Sequence, residues 1–187
     1  MTAILELPEV RRRVSHLSVE EYHRLDEFNE NGKRTELIRG IVIEKMSKSP
    51  LHATIATRLF KLILPVLPSD FTARLEQPLT LADSEPEPDV SVIRGSDADF
   101  KEAHPSTASL VVEVAVSSLE LDREIATLYA EAEVEEYWII LGYEKAVEVY
   151  RRPVAGVYQE KTTVKMDETL TCGSVPGLAI PLHEIFA

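Results

Sequence analysis

Two carboxylates occupy positions where carboxylates are rare. Asp89 opens the apolar run Asp89-Val-Ser-Val-Ile93 directly after Glu85-Pro-Glu-Pro88, and Glu113 lies within Leu110-Val-Val-Glu-Val-Ala115. A carboxylate inside a Val/Ile-rich strand is costly to bury unless it is ion-paired, hydrogen-bonded or metal-bound. Two of them on consecutive strands point to a shared purpose. The plainer alternative is that each faces water from a half-exposed strand. His52, in the first turn of a helix, is a further candidate, although a histidine at the edge of a core would look the same. Other chemistries are poorly served. No Gly-x-Ser-x-Gly elbow is present. The 7 glycines are scattered and build no phosphate-cradling loop. The single cysteine, Cys172, leaves neither a disulfide within the chain nor a cysteine zinc site.

Elements that could position these groups follow from local patterns. Residues 1–17 read as a loosely held arm and 18–187 as one domain. Ser18 and Glu21 have capping-box spacing, predicting a helix to about Glu27 with Tyr22 and Leu25 on its apolar edge. Residues 29–33 should break it. Glu36 to Met46 reads as a hairpin around Arg39-Gly40. Ser49-Pro50 should open a core helix carrying Ile55, Leu59, Leu62 and Val66. A strand over 71–81 and the Asp89 strand follow, then a polar loop over 95–106 and the Glu113 strand. Ser117 and Glu120 again have capping-box spacing. The helix after them should carry Leu121, Ile125, Leu128 and Ala132 as its apolar stripe. A strand over 135–141 completes a strand–helix–strand crossover with parallel neighbours. A hairpin of 145–152 with 157–164 ends the pattern. The fold class is therefore α/β or α+β, with one mixed sheet flanked by helices.

Charge limits the partners. The formal net charge is −12. Broad nucleic-acid binding rests on Lys and Arg neutralising phosphates, so it is disfavoured, whereas a local basic groove or a metal site is not. No apolar run reaches membrane-span length and none of signal-peptide type follows Arg11-Arg12-Arg13, so a cytoplasmic location with no membrane partner is expected.

The ordered set Glu36-Leu-Ile-x-Gly, His52, Pro-Glu-Pro-Asp89, Val-Glu113-Val, Asp122-Arg123, Tyr129-Ala-Glu-Ala and Glu136-Tyr-Trp resembles the Uma-type bacterial "putative restriction endonuclease" family. The likeness runs from about Ser18 to Phe186. That family is similar to the PD-(D/E)xK nuclease superfamily. The resemblance implies a restriction-endonuclease-like core and a Mg²⁺-dependent (or Mn²⁺-dependent) endonuclease hydrolysing DNA phosphodiesters. Asp89 and Glu113 would be catalytic and hold the metal, with Glu36 joining the metal shell. Gln77 is a weaker candidate for a metal-bound water. Strands paired as implied would set Asp89 beside Glu113, where the two should repel without a cation and raise one pKa.

One element of the pattern is missing. Strand period 2 puts residue 115 on the face of Glu113, where the superfamily has lysine, and this chain has Ala115. The following helix offers only Ile125 or Ala126 where relatives supply a lysine, and it is one residue shorter than usual between Asp122 and Tyr129. Arg123 is the nearest cation and the third catalytic candidate, although guanidinium cannot act as a base. Lys45 and Lys48 are further candidates, with ordinary surface lysines the plainer reading. Glu133 stands where relatives have a helix-ending glycine. DNA binding should be weak and salt-sensitive, through Arg151, Arg152, Lys161 and Lys165. A homodimer could form through Val147, Val149, Tyr150 and Tyr158, unless these are core. Two other functions fit the same residues: a degenerate nuclease fold kept as a binding or assembly module, and a metal-dependent hydrolase of a smaller substrate.

Overall fold

In the computed structural model, residues 7–26 and 32–187 are described. They divide into two compact units, one of residues 1–45 with 82–86 and the other of 46–81 with 87–187. The end of the first predicted helix, at Glu27, and the start of the break after it lie outside the described residues.

The first unit contains helices α1 (Pro8–Arg11) and α2 (Val19–Asp26) and the antiparallel hairpin β1 (Thr35–Ile38) and β2 (Ile41–Glu44). The expected capping box closes α2: the Ser18 N–H donates to Glu21 Oε2 at 2.8 Å and the Glu21 N–H to Ser18 Oγ at 3.2 Å. Tyr22 is buried as expected, whereas Leu25 is exposed. Arg39 and Gly40 both have positive φ, 53° and 74°, the requirement of a two-residue hairpin turn. The segment 82–86 lies along this hairpin, with the Glu85 N–H donating to the Leu37 carbonyl at 2.7 Å.

The second unit begins with α3 (Pro50–Ile63), capped by Ser49 Oγ, which accepts from the His52 N–H at 3.2 Å. Then come β3 (Phe71–Leu75), β4 (Val90–Arg94) and β5 (Leu110–Ala115). Two short helices, α4 (Leu119–Glu124) and α5 (Ala126–Glu131), precede β6 (Glu136–Leu141), β7 (Ala146–Val154) and β8 (Val157–Val164). A small pair, β9 (Thr169–Thr171) with β10 (Ala179–Pro181), and the helix α6 (Leu182–Ile185) end the chain.

Strands β3 to β8 form one six-stranded mixed sheet in sequence order. All neighbours are antiparallel except β5 and β6, which are parallel across the crossover through α4 and α5. The even-numbered face of the central strands (Val90, Val92, Val112, Val114, Trp138, Ile140) packs with Ile55, Leu59 and Ile63 of α3. The opposite face carries an aromatic cluster: Tyr137 lies 5.0 Å from Tyr129 and 5.7 Å from Tyr150, centroid to centroid. A sheet covered on both faces explains why β6 is buried along its whole length.

Several local expectations fail here for physical reasons. The strand from Phe71 stops at Leu75, because Glu76 turns the chain with φ of 51°. The polar loop contains a 3₁₀ turn at Asp97–Phe100, closed by a Ser96/Asp99 capping box. Ser117 caps nothing: the N-cap is Ser118, whose hydroxyl donates to Asp122 Oδ2 at 2.7 Å instead of accepting from the backbone. The helix then breaks at Ile125, so its apolar stripe is displaced. Leu121 is exposed, while Asp122, Ala126, Leu128, Tyr129 and Ala130 are buried. The hairpin residues offered as a dimer face are core in two layers. Val147 and Val149 are covered on one face of the sheet; Tyr150 is covered on the other, where half-buried Tyr158 donates to the Val134 carbonyl at 2.9 Å.

A candidate metal and phosphate site at the end of strands β4 and β5

Asp89 is delivered by geometry already legible in its flanks. Pro86 and Pro88 exclude helix and stiffen the approach to β4. Val90 pairs with Val112, so continuing that antiparallel register places Asp89 opposite Glu113. The hydrogen bonds agree: the Asp89 N–H donates to Glu113 Oε2 at 3.3 Å, and the Val114 N–H to Asp89 Oδ2 at 2.9 Å. The two carboxylates are neighbours on adjacent strands.

Neither is bare. Lys48, in the segment leading into α3, donates to Asp89 Oδ1 at 2.7 Å and reaches Glu76 Oε1 at 2.9 Å. His52, one turn into α3, places Nε2 2.9 Å from Asp89 Oδ2. All three groups are largely covered, with side-chain exposures of 19% for Lys48, 14% for His52 and 7% for Asp89. On the other side Tyr129, from α5, donates to Glu113 Oε1 at 2.9 Å. Two buried atoms nearby in sequence have no hydrogen-bond partner, His52 Nδ1 and Ser91 Oγ.

The electrostatics differ from those of two carboxylates alone. Burial by itself would push the Asp89 carboxyl up. Hydrogen bonding and charge from His52, then charge and hydrogen bonding from Lys48, outweigh it and hold the carboxyl below its ordinary value. The expectation of unrelieved repulsion and a raised pKa is thereby corrected for Asp89, because cations from the α3 side already compensate it.

The remaining candidates have other partners or surroundings. Glu36 lies in the first unit, where Lys45 donates to its Oε1 at 2.6 Å. Arg123 turns to Glu148 of β7, with Nε at 3.1 Å and Nη2 at 2.5 Å. Gln77 helps line a surface cavity of about 300 Å³ with Arg74, Asp97 and Phe100. Ala115 and Ala126, where a motif lysine would stand, are both buried.

The cation set against the carboxylates is therefore Lys48, one of the two further lysine candidates in the sequence, for which an ordinary surface lysine is the plainer reading. Its order in the chain gives no sign of the contact, since 41 residues separate it from Asp89. A signal for His52 did exist, in its place within the ordered motif set.

The donor set suits a hard divalent ion held sparingly. Mg²⁺ takes one or two protein carboxylates and completes its shell with water and phosphate oxygens. Asp89 and Glu113 can supply that much. Among the described residues, no group of three or more His, Cys, Asp or Glu is placed to hold a metal.

A family model described as "Putative restriction endonuclease" (Uma2) matches residues 19–183. The chain belongs to the Uma2 family. Its fold agrees with that of a solved structure, the crystal structure titled "a putative nuclease belonging to DUF820" from Anabaena variabilis. That similarity has a TM-score of 0.69 at 21% sequence identity and covers 87% of this Uma2 chain and 96% of the other. No curated protein matches. Among the described residues, no helix is long and apolar enough to cross a membrane.

Proposed function

We propose that this chain is a Mg²⁺- or Mn²⁺-dependent endonuclease that hydrolyses DNA phosphodiesters at Asp89 and Glu113, with Lys48 in the place of the missing motif lysine. The observation that carries this reading is the 2.7 Å contact of Lys48 with Asp89, beside Glu113, in a chain of a nuclease-named family. An ammonium has three N–H donors. Asp89 and Glu76 take two. The third would meet a phosphate oxygen and stabilise the charge that develops on it during attack.

Asp89 and Glu113 would hold the divalent ion, which when bound supplies an activated water and Lewis-acid stabilisation. The other residues set positions. Tyr129 fixes one oxygen of Glu113, and His52 with the Val114 N–H fixes one oxygen of Asp89. Glu76 also takes a hydrogen of Lys48, at 2.9 Å, and so helps to position the ammonium.

Incubation of wild type with supercoiled plasmid in Mg²⁺ or Mn²⁺ tests the proposal, with Lys48→Ala, Asp89→Asn and Glu113→Gln alongside. Cleavage by wild type and its loss by at least about a hundredfold in each variant is expected, the scale of one preorganised charge stabiliser. Intact plasmid with wild type, but hydrolysis of a small activated phosphodiester, would move the function to a smaller substrate. Inertness toward both would leave the assembly-module reading.

A further inference from the structure

The carboxylate site continues across the sheet. Glu113 of β5 pairs with Ile139 of β6, and Ile139 pairs with Glu148 of β7. Residues directly opposite in register share a sheet face. Glu113 and Glu148 therefore stand on one row and one face, two strand spacings or about 10 Å apart. Each carries a tyrosine hydroxyl: Tyr129 on Glu113 at 2.9 Å and Tyr150 on Glu148 at 2.8 Å.

Glu148 differs in what it gathers. Its side chain is only 7% exposed, yet it holds two cations, Arg123 through Nε and Nη2 and Lys161 at 2.9 Å. One cation neutralises a buried carboxylate. The second leaves the cluster with a surplus positive charge. Both heads reach solvent, with side-chain exposures of 44% and 46%. Arg123 spends Nε and Nη2 on Glu148, and more than two fifths of its side chain stays exposed. Lys161 lies over the Tyr150 ring at 4.8 Å, which fixes it further. The result is a pinned Arg–Lys pair on a chain whose net charge is −12.

We propose that Arg123 and Lys161, held together by Glu148, bind a backbone phosphate of the nucleic-acid strand whose scissile phosphate lies at Asp89 and Glu113. This rests on the reading of the chain as a nuclease. The offset of about 10 Å is too long for the attacked phosphate itself and selects another phosphate close to it on the strand. Guanidinium suits this role because its planar fork matches phosphate oxygens and it remains charged. Preorganisation by Glu148 removes part of the side-chain entropy that two free surface cations would lose on binding.

The test uses the intact chain and a fluorescein-labelled oligonucleotide in EDTA, with affinity measured from low to moderate salt. Arg123→Gln and Lys161→Gln should each weaken binding several-fold and lower the log–log salt slope by about one. Arg94→Gln is the control, because Arg94 is an exposed cation at the end of β4 remote from Asp89, beside Asp70 at 3.8 Å; it should leave slope and affinity unchanged. Lys161 lies on an exposed edge strand, so its variant reports even where loss of Arg123 impairs folding. Wild-type binding with unchanged slopes in the Lys161 and Arg123 variants, or an equal loss at Arg94, overturns the subsite and leaves the nuclease reading standing. Failure of wild type to bind any oligonucleotide at low salt overturns both.

Discussion

Lys48 and Asp89, 41 residues apart in sequence, meet at 2.7 Å at the mouth of the sheet. The contact joins the entry of α3 to the first residue before β4. It shows why the chain keeps a buried aspartate beside a glutamate without a lysine on the strand itself: the compensating ammonium arrives from a different element. An ion pair this covered is costly to break from one side, because the partner left behind is a buried charge.

Asp89 should therefore contribute to stability in a pH-dependent way. Its folded carboxyl titrates below the ordinary value, so its contribution is fully present above the unfolded pKa near 4 and is lost as pH falls through the folded value. Thermal melts between pH 2 and 7 should show a steeper acid limb for wild type than for Asp89→Asn. At neutral pH in EDTA, Asp89→Asn should melt below wild type, by the roughly 3 kcal/mol typical of a broken buried pair. Repulsion between two bare carboxylates would give the opposite order.

Divalent ions should stabilise the wild type. A ligand that binds only the folded state adds RT ln(1 + [L]/Kd), about 2.7 kcal/mol at a hundredfold excess over Kd. Mn²⁺ at millimolar concentration should raise the melting temperature of wild type and leave Asp89→Asn and Glu113→Gln unmoved. A flat wild-type response would remove the metal from the proposed site.

Much of this architecture was legible because its signals are local. Polar residues inside apolar strands mark Asp89 and Glu113, and the Ser49-Pro50 start of α3 is a short-range cap. Lys48 was legible only as a minor candidate beside Lys45, because a lysine in a polar segment is ordinary on a surface and only the packing of α3 against the sheet gives it a carboxylate. Glu148 was hidden for a related reason. Alternation in β7 suggests that it faces water, but that face is covered by α4 and α5, and Arg123 and Lys161 come from elements on either side. The stripe expected over 121–132 failed at its start, where Leu121 is exposed and Asp122, which accepts from the Ser118 hydroxyl, is buried instead.

Glu148 should show the clearest acid titration. Burial raises its pKa, but hydrogen bonds from Arg123, Lys161 and Tyr150 prevail and bring it down to about 2. Its stabilising contribution is present above the unfolded value near 4.5 and disappears as pH approaches about 2. Urea unfolding at pH 6 and pH 2.5 should find Glu148→Gln less stable than wild type at the higher pH, with the gap narrowing at the lower. A gap independent of pH would mean that packing, not charge, is lost.

Glu133 offers a test of backbone strain away from the chemistry. It ends α5 with φ of 57°, and the bonds Val134 N–H to Tyr129 O at 3.0 Å and Glu133 N–H to Ala130 O at 3.2 Å have the Schellman pattern. A side chain in left-handed backbone costs about 1 kcal/mol, and glycine avoids that cost at some loss of unfolded-state entropy. Glu133→Gly should raise stability by about 0.5–1 kcal/mol in urea, with plasmid cleavage unchanged.

Lys48 permits the sharpest separation of roles. Glu76 also pairs with it, from a left-handed backbone with φ of 51°, and the Glu76 N–H donates to the Asp89 carbonyl at 3.2 Å. If the ammonium stabilises phosphate charge, Lys48→Ala should remove cleavage, whereas Lys48→Arg should retain a fraction because guanidinium keeps the charge in a different geometry. Glu76→Gln keeps the side-chain shape and loosens only the positioning, so kcat should fall about tenfold with little change in KM, the mark of an interaction made in the transition state. Ala115→Lys in the Lys48→Ala background should not restore activity. Ala115 is buried beside β6, and a lysine there must displace packed side chains before it can reach a phosphate. Full rescue by Ala115→Lys would show that the strand position itself can host the cation that Lys48 supplies.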